Sequence, residues 1–227
     1  MSDTRIAERF AVQATLETSK LGLVQRAVDE TNGATCLLLL VDAGLKVDDS
    51  TLDQIVADNA LLQPANDILL TTEWGRHDGR LWLRAEGEGE LLATLLTARA
   101  RTDMPALLNL GTAMGRAPTA ADAAGVQHLD LGPHRVLLEG DGLNDAVRVF
   151  GFGWWRLQPA YTAGAAAEDF YGEPEFMAAE ICKGSPATTT SDVYSAALVT
   201  WALAAGKPPF RSSQPLMTLK RQAIEKP

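Results

Sequence analysis

Gly151-Phe152-Gly153-Trp154-Trp155 follows a strand-like run, Ala146 to Phe150, and opens a loop-like stretch that continues to Glu180. Upstream, His128-Leu129-Asp130-Leu131-Gly132-Pro133 forms a turn-rich block, with strand-like Arg135 to Leu138 between the two. Downstream, Ser191 to Ala205 reads as a helix apolar on nearly all sides, which predicts burial. Gly206 with Pro208-Pro209 ends it, and Leu216 to Ile224 suggests one more short helix.

Toward the N-terminus the pattern changes. Helical spacing covers Glu90 to Arg101 and Met104 to Ala117, and Pro118 is expected to interrupt the second helix or to start a new one at Thr119. Before them, Phe10 to Leu16, Leu23 to Val28, Thr35 to Val41, Ile68 to Thr72 and Arg80 to Ala85 read as strands. Asn32-Gly33 and Asp78-Gly79 are hairpin turns. A helix spans Asp48 to Leu62, with its N-cap at Asp49-Ser50. Strands first and helices afterwards predict an α+β fold of two unlike lobes. Residues 1–85 form the β-rich lobe with one helix, and residues 86–227 the mainly helical lobe.

The net charge of −9 argues against nucleic acid and against an anionic membrane surface. The longest apolar run, Cys36 to Val41, is far short of a membrane span. The start, MSDTRIAERF, lacks the apolar region of a secretory signal, so a cytoplasmic protein is expected. Cys36 and Cys182 lack metal-ligand spacing and read as reduced thiols. His77 and His134 read as lone surface histidines.

Three blocks in one order resemble bacterial-type serine/threonine protein kinases. Gly125-Val126-Gln127-His128-Leu129-Asp130-Leu131-Gly132-Pro133 is similar to G-V-x-H-R-D-L-K-P. Tyr171-Gly172-Glu173-Pro174-Glu175-Phe176-Met177-Ala178-Ala179-Glu180 is similar to G-T-P-E-Y-M-A-P-E, which ends the activation segment, here 151–180. Ser191-Asp192-Val193-Tyr194-Ser195, followed by Gly206-Lys207-Pro208-Pro209-Phe210, is similar to S-D-V-Y-S…G-x-x-P-F. The resemblance implies a bilobal kinase-like fold, with the helical lobe cut at Pro227 before its last helices. Either the chain is then a fragment of a longer protein, the reading favoured, or Glu180 is satisfied by a partner other than the family's Arg.

Phosphoryl transfer in that family is positioning plus charge neutralisation. Matched position by position, this chain departs from it at each charged task. Glu17 and Ser19 stand where the phosphate-covering loop has Gly, and only Gly22 survives. Leu39 stands at the phosphate-binding Lys, and Leu37 where a small Ala lies above the adenine. Leu129 replaces the Arg after His128. Gly132 replaces Lys, and Arg135 replaces the metal-binding Asn. Gly151 replaces the metal-binding Asp. Asp53, beside Gln54 on the helix, is left with no Lys to pair with.

What remains is scaffold. His128 and Phe152 match the family's internal apolar stack, and Gly153 is kept. Val24, Leu37 and Leu137 are expected to fill the adenine pocket from both sides. Asp130 and Asp192 are expected to hold structure, with Asp192 also capping its helix, and Arg135 is expected at the surface. Glu180 normally pairs with an Arg from the missing helices. Trp154-Trp155 reads either as a core plug or as a protein contact.

The resemblance therefore implies a catalytically inactive domain, a pseudokinase, that binds a protein partner and uses no cofactor and no metal. An atypical kinase or a metal-independent nucleotide sensor, with Lys20 and Arg135 as relocated ligands, stays open.

Overall fold

The computed structural model describes residues 5–64, 67–98, 102–140, 142–158, 173–188 and 190–225. An antiparallel sheet forms the first lobe, built from β1 (Arg5–Ile6), β2 (Phe10–Ser19), β3 (Gly22–Asp29), β4 (Ala34–Val41), β5 (Thr71–His77) and β6 (Arg80–Glu86). Its strand order is β1-β2-β3-β4-β6-β5. The turn before β4 carries Gly33 at φ 74°, and the β5–β6 turn carries Asp78 and Gly79 at 48° and 75°. Both use the left-handed backbone that Asn-Gly and Asp-Gly tolerate. The predicted strand from Ile68 begins later, at Thr71, and Ile68 makes only an isolated bridge to Val149.

Helix α1 (Asp49–Ala60) packs beside β5. Its N-cap is Asp48, one residue before the expected cap, and the Asp48 carboxylate accepts from the Thr51 amide at 2.7 Å. A small sheet follows, β7 (Glu90–Leu91), β8 (Val136–Leu138) and β9 (Val147–Val149), with α2 (Leu92–Thr97) and α3 (Met104–Ala123) between its first two strands. Helix α3 runs through Pro118 instead of breaking there. Proline removes one helical bond. Next to it the Thr119 hydroxyl donates to the Gly115 carbonyl at 2.7 Å, and the ring is buried in the helix's inner face. Then come α4 (Ala179–Cys182), α5 (Ser191–Ala205) and α6 (Pro215–Ile224). Helix α5 is buried on its inner side, but Val193 and Trp201 are exposed, so its all-round apolar pattern does not mean all-round burial.

Strand alternation gives β4 two apolar faces. Cys36 and Leu38 pack outward under β1 with Ile6, Phe10 and Trp82. Leu37 and Leu39 point inward, into a cluster with Val24, Leu52 and Ile55 that also contains Leu137, Phe150, Trp154 and Leu157. One continuous core therefore crosses between the lobes.

Candidate functional site

Gly22, the one glycine kept at the tip of the β2–β3 hairpin, has φ 141°, and a Cβ there would lie 2.2 Å from the Leu40 carbonyl oxygen. Close approach of β4 requires this glycine. Three positions earlier along the hairpin arm, the Ser19 hydroxyl donates to the Gly22 carbonyl at 3.4 Å. Lys20 lies exposed at the tip.

Glu17 on β2 points to the loop before β8, where its Oε2 accepts from Arg135 Nη1 at 2.6 Å. Arg135 is not at the surface: its side chain is 2% exposed. Its Nε and Nη2 reach Asp130 Oδ2 at 3.1 and 2.9 Å. Its guanidinium also stands 5.4 Å from the Trp154 ring centre. The stem of Arg135 lies against Gly151, whose φ is 92°. A Cβ on Gly151 would come within 3.1 Å of Arg135 Cδ and 3.2 Å of the Trp154 ring. Gly151 and the Arg135 stem are thus in contact, and the Arg135 head is a cation.

His134 is buried too, contrary to its reading as a surface histidine. Its Nε2 lies 3.4 Å from Asp130 Oδ1, and its Nδ1 lies 3.1 Å from Glu173 Oε2. Gly132 makes room for the ring, since a Cβ there would sit 2.6 Å from it. Burial and the neighbouring Arg135 push the imidazole pKa down, but Asp130 and Glu173 outweigh them and raise it to about 9. Burial pushes the Asp130 carboxyl up, yet the charges of Arg135 and His134 hold it well below the usual carboxylate range. Asp130 keeps two cationic partners, Arg135 and His134. The spacing Asp130-x-x-x-His134 carries a signal for one of them; Glu173 and Glu17 lie too far away in the chain for a local pattern to pair them.

The apolar scaffold assembles around this cluster. His128 and Phe152 stack edge to face with ring centres 4.8 Å apart, both fully buried. His128 Nδ1 accepts from the Asp130 amide at 3.3 Å, so Nε2 carries the proton and donates to the Phe150 carbonyl at 2.9 Å. Burial lowers this imidazole's pKa. Asp192 accepts from the amides of His128 and Leu129 at 2.7 and 2.8 Å. Its carboxylate serves that loop, and the helix capping expected of it from the sequence is not made. Leu129 takes φ 54°, a left-handed conformation held by this contact. Gly153, at φ 80°, turns the chain beside Ile55 of α1.

Asn59, not singled out in the sequence, ties three pieces together. Its amide nitrogen donates to the Ile55 and Phe152 carbonyls at 2.8 and 2.9 Å, and its oxygen accepts from the Thr71 amide at 2.9 Å. Trp154 is a core plug whose indole donates to the Thr71 hydroxyl at 3.0 Å. Arg156 clasps Asp58 of α1 at 2.9 Å and lies over the Trp155 ring. Asp53 is not without a partner, because the Trp74 indole donates to it at 2.9 Å. Glu180 accepts from the Ser191 hydroxyl at 2.5 Å, which gives it a partner within the described residues. The block Tyr171-Gly172 lies outside the described residues.

Val24, Leu37 and Leu137, drawn from both lobes, share one cluster and are 0% exposed. Leu39, at the position of the absent Lys, is buried with them. Among the described residues no group of three or more His, Cys, Asp or Glu is placed to hold a metal ion. Nor is any helix among them long and apolar enough to cross a membrane.

The chain is similar to known proteins along its whole length. The serine/threonine-protein kinase PknA of Mycobacterium tuberculosis is 25% identical over 235 residues, covering 98% of this chain and 52% of PknA. The serine/threonine-protein kinase PkaA of Streptomyces coelicolor is 32% identical over 154 residues, 62% of this chain and 28% of PkaA. The chain therefore spans about half, or less, of these relatives. The solved kinase domain of Mycobacterium tuberculosis PknI shares the fold, with a TM-score of 0.67 at 22% identity over 94% of this chain and 79% of that one. The protein kinase domain profile matches residues 55–226, well over half of the chain. On that match, with the two-lobed fold around it, the chain belongs to the protein kinase domain family.

Proposed function

We propose that this domain is a catalytically inactive kinase fold, a pseudokinase, that serves signalling as a scaffold or regulatory module by contacting a protein partner. The observation that carries this reading is the place of Arg135. Its guanidinium sits between Asp130 and Glu17 and its stem against Gly151, so a protein cation stands where the family would bring metal. A divalent ion there would meet a like charge and lack both side-chain ligands. Mg-nucleotide therefore does not fit the residues present. The base pocket agrees with this, since an open pocket would leave Val24, Leu37 and Leu137 wetted, and they are not. A relocated site on Lys20 and Arg135 has less support, because Arg135 is already saturated by two carboxylates.

Thermal unfolding with ATP, with and without Mg²⁺ or Mn²⁺, tests the reading, and no shift is expected. A ligand at one hundred times its Kd stabilises by about 2.7 kcal/mol, which is readily seen. A metal-dependent shift, or transfer of labelled phosphate above an Asp130→Ala control, would overturn it. A metal-independent shift would make the domain a nucleotide sensor instead.

A further inference from the structure

Five ionisable side chains, of alternating sign when His134 carries its second proton, run in a single row through the cleft. Glu17 meets Arg135 at 2.6 Å, Arg135 meets Asp130 at 2.9 Å, Asp130 meets His134 at 3.4 Å, and His134 meets Glu173 at 3.1 Å. The row starts on the β2–β3 hairpin, passes through the 128–135 loop, and ends at the segment leading to the turn Pro174–Phe176. We propose that this row couples the hairpin to the Glu173–Ala178 segment, so that a contact made at one is felt at the other.

The physical ground is shared charge. Arg135 and His134 compete for one carboxylate, Asp130, and as neighbouring cations they repel each other. Glu17 neutralises part of the Arg135 charge from the far side. Without that carboxylate the repulsion on the His134 imidazolium grows, and its hold on Glu173 weakens. In the other direction, losing Glu173 removes one of the two carboxylates that face His134. The imidazolium then leans on Asp130 alone and draws it from Arg135, which loosens the anchor that Arg135 offers to Glu17. The middle members are buried, so water screens these shifts poorly. The row links the lobes however the base pocket is filled, so the inference goes beyond the inactive-domain reading.

Amide hydrogen exchange on Glu17→Gln and Glu173→Gln tests it, since both side chains are more accessible than the three between them. The reporters at the segment are the amides of Phe176 and Met177, which donate to the Glu173 and Pro174 carbonyls. Those at the hairpin are the paired amides of Thr18 to Leu23. Amides of α5 give the global reference. Relative to α5, Glu17→Gln is expected to speed exchange at Phe176 and Met177 about threefold or more, and Glu173→Gln to do the same in the hairpin. Glu139→Gln breaks a surface pair with Arg148 and is expected to change neither. Acceleration confined to the mutated side, an equal effect of Glu139→Gln, or a uniform rise matching α5 would each overturn the coupling.

Discussion

Glu17 and Arg135 are 118 residues apart in the chain, and their side chains meet at 2.6 Å. In the motif resemblance read from the sequence, these positions answer to Gly and Asn, both neutral. Here Glu17 and Arg135 carry opposite charges and satisfy one another across the cleft between the lobes.

Arg135→Met should destabilise the domain by about 3–5 kcal/mol, because it leaves Glu17 without its cation and Asp130 with His134 alone in a largely buried site. Glu17→Leu combined with Arg135→Met should cost less than the two single changes added together, since it removes one of the orphaned charges. Urea unfolding of the four proteins measures the non-additivity.

Leu37→Ala should cost about 2–5 kcal/mol, the usual range for a large-to-small change in a closed core. Its midpoint should not respond to Mg-ATP, since Gly151 and Arg135 still offer no ligand to metal. A metal-dependent shift in this variant would show that one side chain alone had kept nucleotide out.

Gly151→Asp restores a carboxylate in name only. The position has φ 92°, and the new Cβ would press on Arg135 and Trp154. The strain predicts a loss of about 1–3 kcal/mol. Manganese titration monitored by thermal unfolding should show no binding.

His134 supplies a pH signature. Its pKa is raised from the ordinary 6.5 to about 9, so the proton is bound more tightly in the folded state. Its contribution to stability is therefore fully present below pH 6.5. It declines as pH rises toward 9 and is lost above that, by at most about 1.4 kcal/mol per pH unit. Asp130 and Glu173 face the ring as anions and Arg135 as a cation. The stability difference between the parent and His134→Gln, measured from pH 5 to 10, should follow that course. A difference independent of pH would mean that the imidazole is not charged in the fold.

Much of this was legible in the chain. The β4 run from Thr35 to Val41 contains no Lys whatever its register, and helix α5 was bounded correctly by Ser191 and Gly206. The three motif blocks carried the two-lobed fold. The charge row was not legible, because its burial depends on where β2 crosses the 128–135 loop, which no local pattern encodes. Taken singly, Arg135 and His134 looked like ordinary surface residues. Pro118 misled for the opposite reason: a local rule was sound, but burial of the ring and a neighbouring Thr hydroxyl offset it.

The core that runs from Leu37 through Leu137 to Trp154 has a calorimetric consequence. Two lobes that share only a wet cleft can melt one after the other. Lobes that share side chains lose them together. Heating should therefore give a single endotherm whose van't Hoff and calorimetric enthalpies agree. Cutting the chain between Glu86 and Glu90 should leave neither half able to melt cooperatively, since each would expose its share of one interior.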